Sequence, residues 1–384
     1  MKQLIIDIIS RFGGRAPGSE KEKQAQLYLK SLLEKYCDKV IVHEFKTPVK
    51  AMFQSLKIFC TLFYASLILY HFHPAAAFVL SLVNTIFYLG HFVTYHFWLD
   101  FLFAKNDSLN VTGDIEPTEK ATSTVIVSGH MDSTPEFIWW YRLKHPGMVL
   151  SVLSGFLITL FPLTAGLGVL QNALSFPFPI SDYLWWFNLI ASPITIVFFS
   201  IHGKKVILGA QDNLSGVVIA AEVGKHFSKN RLKKTRVRVV SFGCEEPGLR
   251  GSHAFAKDFR EQLKKENAVC INIDGIKDAD KLTIITAEPM VLASYTDFMI
   301  EKLAAAFSSL SISHLKKIIP IGATDGVSFI RQGIPAVSII GQSTEKLDPT
   351  YHTRLDVPEC VDERSLELTK QAVVKFIEKW DAGA

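Results

Sequence analysis

Two long stretches of the chain lack the alternation of apolar and charged positions that a water-facing surface requires. From Ile58 to Leu99 there is not one Asp, Glu, Lys or Arg, and a helix rising 1.5 Å per residue crosses a hydrocarbon layer of roughly 30 Å with about 20 apolar residues. The run has room for two spans, and His71-Phe72-His73-Pro74 interrupts it near its middle. It predicts helices at about 53–72 and 75–98 joined by a tight polar turn. From Pro146 to Gly203 the single charge is Asp182, and the centre, QNALSFPFPISD, reads as a loop rich in Pro, Ser and Asn. This stretch predicts helices at about 147–170 and 183–202. Neither stretch shows an amphipathic period, so both read as transmembrane hairpins rather than as core helices of a soluble protein.

Outside these stretches, near-continuous apolar runs alternate with helix-like segments. That is the pattern of an α/β fold whose central strands are covered on both faces. Strands are expected at VIVHEF (40–45), STVIVSGH (123–130), RVRVVSFG (236–243), VCINID (269–274), LTIITA (282–287) and PAVSII (335–340). Helices are expected at about 18–36, 214–228, 251–265, 290–308 and 363–380. The first follows Pro17-Gly18-Ser19 and carries Glu22 three residues after Ser19, a capping-box pattern. The expected organisation is a discontinuous polar domain (1–52, 106–145 and 204–384) interrupted by transmembrane hairpins at 53–105 and 146–203.

Composition narrows the class. Of 384 residues 20% are charged and 48% hydrophobic, which excludes disordered, collagen-like and disulfide-scaffold chains. The net charge of +4 is spread without a long basic run, so no nucleic-acid partner is expected. Five cysteines without a CxxC spacing fit reduced thiols and a reducing compartment. The opening MKQLIIDIISRF carries Lys2 and Asp7 and no apolar run of leader length, so no cleaved export signal is expected. Lys50, Lys57, Lys105, Arg142, Lys144, Lys204 and Lys205 flank the apolar stretches, whereas the far loops hold no Lys or Arg. The positive-inside rule then sets the polar domain on the cytoplasmic side of a multi-pass membrane protein. Each stretch holds an even number of spans, so residues 106–145 and everything after 204 return to one side, and a single site can draw on both.

Candidate metal ligands sit at or beside expected strand ends: His130 and Asp132 in SGHMDS, Asp212 in GAQDNLSG, Glu245 and Glu246 in FGCEEPGLRGS, Asp274 in NIDG, and His352 in YHTRLD. Ligands of open α/β sheets bind outside the carboxyl ends of the strands, so these loops can converge on one crevice although they lie far apart in sequence. Imidazole with carboxylate suits Zn²⁺, or Mn²⁺ or Co²⁺, whereas the dispersed cysteines offer no thiolate cage. Each motif alone is weak, since a lone HxD is ordinarily a solvated turn and paired glutamates commonly open a helix.

Taken in order, HxD, DNxSG, EExGLxGS, NxD and HTxxD resemble the co-catalytic zinc exopeptidase family that includes secreted bacterial aminopeptidases, glutamate carboxypeptidase and glutaminyl cyclase. The resemblance covers roughly residues 10–50, 106–136 and 204–380 and neither apolar hairpin. It implies a central mixed β-sheet flanked by helices, and two zinc ions per chain. By the same resemblance His130 and Asp274 would bind one zinc, Glu246 and His352 the other, and Asp212 would bridge both. Asp132 would hold the second ring nitrogen of His130 and so fix its tautomer. Glu245 would be the general base, moving a proton from water to the leaving amine. Two cations about 3.5–4 Å apart make that water acidic and stabilise charge on the tetrahedral intermediate. Tyr351 would donate to the oxyanion, as in some relatives, or else pack beside the site. One departure stands in TDGVSF (324–329), where Gly326 occupies the place in which many relatives have His, leaving Asp325 and Ser328 as candidate partners of the site.

The expected activity is hydrolysis of a terminal peptide or amide bond, with aminopeptidase as the leading subtype and peptide substrate and lipid bilayer as partners. Its rivals are a glutaminyl-cyclase-like acyl transferase on the same fold and a non-catalytic membrane receptor or scaffold. Neither the substrate side chain nor the oligomeric state is legible.

Overall fold

In the computed structural model, which describes residues 1–174 and 179–383, the apolar runs of the polar segments meet side by side in a nine-stranded mixed sheet. The strands in chain order are β1 (Lys39–Thr47), β2 (Asn106–Ile115), β3 (Ser123–His130), β4 (Pro135–Phe137), β5 (His202–Val206), β6 (Thr235–Phe242), β7 (Ala268–Ile276), β8 (Thr283–Glu288), β9 (Ala293–Ser294), β10 (Leu315–Ile318) and β11 (Ala336–Gly341). Across the sheet they lie β1-β2-β6-β3-β7-β11-β8-β10, with β9 on β8, while β4 and β5 pair separately. β6, β3, β7 and β11 run parallel, β2 is antiparallel to both β1 and β6, and β8 is antiparallel to β11 and parallel to β10. The expected mixed sheet flanked by helices is what the chain forms. Its central strands are buried from end to end, which is why they read as continuous apolar runs.

β2 was not expected, because NDSLNVTGDI is poor in strand-forming residues. Its pairing with β1 and β6 brings two of its buried polar side chains to partners. Asn110 donates to Gly251 O and accepts from Gly243 N, and Asp114 takes two bonds from Arg238 at 2.7 and 2.8 Å. The helices Glu20–Leu33, Ser215–Lys229 and Glu363–Asp381 lie within the expected spans or within a residue of them. The helix expected at 251–265 breaks at Phe259, and the one expected at 290–308 starts only at Asp297, since Pro289 and β9 occupy its beginning. A further helix, Lys2–Phe12, buries Ile5 and Ile8.

These residues form one compact unit (Met1–Val49, Lys105–Glu136 and Lys204–Ala384), and Lys50–Ala104 with Phe137–Gly203 form another. Four helices of the second unit, Ala51–Phe72, Pro74–Val93, His145–Leu174 and Ile180–Phe199, are long and apolar enough to cross a membrane. The helix expected at 75–98 ends at Val93, beyond which Tyr95 and Phe97 take positive φ values of 54° and 60°. Residues 175–178, the heart of QNALSFPFPISD, lie outside the described residues. Phe59, Phe63, Leu67, Leu157, Phe161 and Trp185 share the core of this unit. Polar side chains are met within it: Asn84 donates to Phe59 O, Asn188 to Thr164 Oγ1 and Trp185 Nε1 to Leu67 O.

The chain is paired where each apolar insertion begins and ends. Thr47 of β1 stands opposite Asn106 of β2, and Ile207 N donates to Thr134 O at 3.0 Å. All five cysteines are free thiols.

Candidate metal centre

β3 ends on His130, in register with Phe242 at the end of β6. Ser128 of β3 faces Asn272 of β7, and two residues further along each strand come His130 and Asp274. Glu245 and Glu246 follow β6, and His352 follows β11, so these residues gather at the carboxyl edge of the parallel strands. Asp212 comes from the turn Ala210–Leu214 that opens the helix Ser215–Lys229, with the Asp212–Asn213 peptide bond cis. The rest of the DNxSG motif anchors that turn. Asn213 Nδ2 donates to Ile273 O, Asn213 Oδ1 accepts from Gly216 N, and Ser215 Oγ accepts from Ile276 N. Two glycines allow the approach: a Cβ on Gly129 would lie 2.7 Å from Gly216 C, and one on Gly216 would lie 2.2 Å from Ile273 O.

The five expected ligands come together as two groups of three that share Asp212. Asp212 Oδ1 lies 3.1 Å from His130 Nε2, which is 3.9 Å from Asp274 Oδ1. Asp212 Oδ2 lies 3.2 Å from His352 Nε2, which is 3.1 Å from Glu246 Oε2. A tetrahedral zinc with ligands about 2.0–2.2 Å away requires donor atoms roughly 3.3–3.6 Å apart, and the separations of 3.1 to 3.9 Å lie within a few tenths of an ångström of that spacing. Asp212 presents a different oxygen to each group, the geometry a bridging carboxylate needs.

Asp132 does more than hold His130. Its Oδ1 lies 3.4 Å from His130 Nδ1, and its two oxygens accept the backbone N–H groups of Glu245 and Glu246 at 3.0 Å each. His130 Nδ1 also lies 3.2 Å from the Asp132 backbone O, so this one residue adjoins the imidazole while its carboxylate holds the loop that carries Glu246. Glu245 Oε2 is 3.6 Å from His130 Nε2, beside the ligands and outside both groups. The Tyr351 ring stacks on His352 with centroids 4.0 Å apart. Ser328 Oγ bonds Ser252 Oγ, and Asp325 is fully buried. At Gly326 a Cβ would lie 2.7 Å from Tyr295 Oη and from Ser338 Oγ, so the Tyr295–Thr324–Ser338 hydroxyl cluster leaves no room for histidine there.

The electrostatics suit a cation. Burial pushes the Glu245 carboxyl well above its ordinary range, with His130 opposing and Asp325, Asp274 and Glu246 adding to the push. Burial and Asp212 likewise raise Asp274, and burial raises Glu246 against the pull of His352. Burial opposes charge on the histidines, yet Glu245, Asp132 and Asp212 raise His130, and Glu246 and Asp212 hold His352 at about 10. Dications among these carboxylates would offset their mutual repulsion and compete with protons for both imidazoles.

Sequence reasoning missed the groups that hold this arrangement from behind. Asp356 accepts the backbone N–H groups of Gln211 and Asp212 at 2.7 and 3.1 Å, and burial pushes its carboxyl up to about 7. Glu22 was expected to close a capping box. Ser19 Oγ does accept from Glu22 N, but the Glu22 carboxylate turns inward to Gly18 N, Ser108 Oγ and Cys244 N, next to Glu245. Glu136 receives a forked pair of bonds from Arg354, two residues after His352. Asp356 stood inside the HTxxD motif. The other partnerships are long-range and leave no periodic signal.

Residues 193–377 match the family described as Peptidase family M28, a segment that holds Asp212, Glu245, Glu246, Asp274 and His352 but not His130. Aminopeptidase YwaD of Bacillus subtilis (strain 168) is 27% identical over 196 residues, 48% of this chain and 42% of that protein, so the match spans less than half of the relative's length. An aminopeptidase from Aneurinibacillus sp. strain AM-1 superimposes with a TM-score of 0.59 at 14% identity, over 99% of this chain and 93% of the other. BSAP, a zinc aminopeptidase from Bacillus subtilis, gives 0.59 at 17% over 99% and 94%. An Acidobacteriales bacterium glutaminyl cyclase gives 0.58 at 12% over 100% and 94%. At these identities the likeness is one of fold. The match over residues 193–377 and the shared fold make the sheet-bearing unit similar to the M28 peptidases and to zinc aminopeptidases in architecture, in agreement with the resemblance that its motifs carry.

Proposed function

We propose that the chain is a membrane-anchored, zinc-dependent exopeptidase, an aminopeptidase in its leading form, that hydrolyses a terminal peptide or amide bond. The observation that carries this reading is the division of Asp212 between two ligand groups, one oxygen toward His130 and the other toward His352, with Glu245 alongside. On this reading His130, Asp212 and Asp274 hold one zinc, and Asp212, Glu246 and His352 the other. Bound there, the pair supplies Lewis acidity that makes water acidic and polarises a carbonyl. Glu245 takes the proton of the attacking water and returns it to the leaving amine; burial pushes its carboxyl up, which strengthens it as a base. Asp132 keeps the His130 ring and the Glu245–Glu246 backbone in place, and Tyr351, stacked on His352, is the candidate donor to the developing oxyanion.

Four helices of spanning length support a multi-pass anchor, two in each insertion. The sheet-bearing unit is then the catalytic domain, and the Lys and Arg residues flanking the spans favour its cytoplasmic placement. The test is metal analysis of the full chain in detergent micelles, with a panel of aminoacyl and acyl-amide substrates, on wild type and Glu245→Gln. About two zinc ions per chain in both proteins, with hydrolysis confined to wild type, supports the reading. Equal behaviour of the two proteins favours a scaffold. Cyclisation of an N-terminal glutamine by a protein holding a single zinc favours acyl transfer.

A further inference from the structure

His130 and Asp212 are joined to segments 131–134 and 207–209, which lie outside helix and strand. Arg15 lies between those segments and is fully buried. Its Nε donates to Met131 O at 2.7 Å, its Nη1 to Gly13 O and Leu208 O at 2.8 Å each, and its Nη2 to Gly209 O at 3.2 Å. Its backbone exchanges two further bonds with Ser133, N to Oγ and O from N, both at 3.0 Å. One residue thus gathers carbonyls from the N-terminal segment, from the loop after His130 and from the loop before Asp212. Gly209, at φ 60°, leaves the room for it: a Cβ there would meet Ser133 Cβ at 2.7 Å and Arg15 Nη2 at 3.0 Å.

A guanidinium out of water is costly unless its donors are met and counter-charge lies near. Both conditions hold. The fork is met by four carbonyls, and burial, which lowers the group to about 10, is opposed by the charges of Asp356, Asp132, Glu22 and Glu246. A lysine could supply the charge but not the planar fork, so the geometry is specific to arginine.

We propose that Arg15 is a positioning residue for the metal centre: its guanidinium locks the loop after His130 against the loop before Asp212 and so presets ligands of both metal positions. This rests on the zinc-hydrolase reading and adds to it a residue outside the ligand motifs. Two effects of Arg15 oppose each other. Its charge repels a dication, whereas its bonds order the loops that present the ligands. The ordering prevails, because its hydrogen bonds go to backbone carbonyls rather than to ligand carboxylates.

The test uses the full chain in micelles as wild type, Arg15→Lys and Arg15→Gln, with folding checked by circular dichroism. Zinc affinity is read by competition with a chromophoric chelator, ligand geometry by the visible bands of the cobalt(II) form, and turnover as kcat and KM. Both variants should bind zinc about 10–100-fold more weakly, the range for residues that orient metal ligands. Their cobalt bands should change, and kcat should fall more than KM rises. Zinc affinity equal to or tighter than wild type, with unchanged cobalt bands, overturns the proposal. Should neither Arg15 variant fold, Ser133→Ala removes the acceptor of Arg15 N–H and the donor to Ile207 O, and reads the same link. Weaker zinc binding by that variant supports the brace, and unchanged affinity overturns it. Failure of the underlying reading looks different: the wild type itself would take up neither zinc nor cobalt, and both ideas would fall.

Discussion

In the sheet-bearing unit many of the buried polar side chains carry charge and converge, with His130, Asp132, Asp212, Glu246, Asp325 and Asp356 all withdrawn from water at one edge of the sheet. In the helical unit the buried polar groups are mostly neutral, and the donors of Asn84, Thr85 and Asn188 are each met by a carbonyl or a hydroxyl. Outward the pattern reverses, for the helices expose Phe72, Leu163 and Ile190 at 77%, 65% and 75%. The difference teaches what each interior is for. Packing alone is served by neutral groups whose burial costs little, whereas a cluster of like charges is worth its desolvation where cations are to be held.

The sharpest way to test this contrast is Glu245→Gln, which should lower kcat by about 10²–10⁴-fold while zinc content and the helical unit's stability stay as in wild type. Next comes a paired substitution of exposed apolar residues. Ile190→Asp should cost roughly 2.5–3.5 kcal/mol if that helix faces lipid, whereas Leu292→Asp, 81% exposed in the sheet-bearing unit, should stay within about 0.5 kcal/mol. Equal unfolding midpoints for the two in bilayer nanodiscs would break the comparison. A smaller effect is expected from Asn188→Leu, which removes the bond to Thr164 and should cost about 0.6 kcal/mol without altering zinc affinity.

The smallest effect concerns pH. Burial raises the Asp348 carboxyl, but Lys277 at 2.7 Å and the Thr350 N–H outweigh it and hold the group below its ordinary value. A depressed folded-state pKa contributes stability that is complete above the unfolded value of about 3.9 and is lost as pH falls through the folded one. The melting-temperature gap between wild type and Asp348→Asn should therefore be full near neutrality and close in acid. A gap that widens below pH about 4 would contradict that sign.

The central strands were legible because burial on both faces writes itself as an apolar run, and β3, β6, β7 and β11 lie at or within two residues of the expected positions. β2 was not, since its stability comes from neighbours far away in the chain, such as Arg238. The candidate ligands stood out because histidine and acidic residues beside apolar strand ends are uncommon, and their order carried the family resemblance. Arg15 and the inward turn of Glu22 escaped because nothing local distinguishes a buried arginine or glutamate from an exposed one, whereas Asp356 lay in the HTxxD motif without its part being read. Gly326 shows the reverse: the sequence displays a departure from relatives, and only the Tyr295 and Ser338 hydroxyls explain why no larger residue stands there.

The closed ends of the two apolar insertions, Thr47 opposite Asn106 and Thr134 bonded to Ile207, make each insertion a detachable appendix rather than a through-route of the sheet. A chain entering and leaving at paired residues can lengthen, shorten or exchange everything beyond that pair without shifting a single rung of the ladder behind it. The sheet can in this way keep its frame while what lies beyond either pair changes.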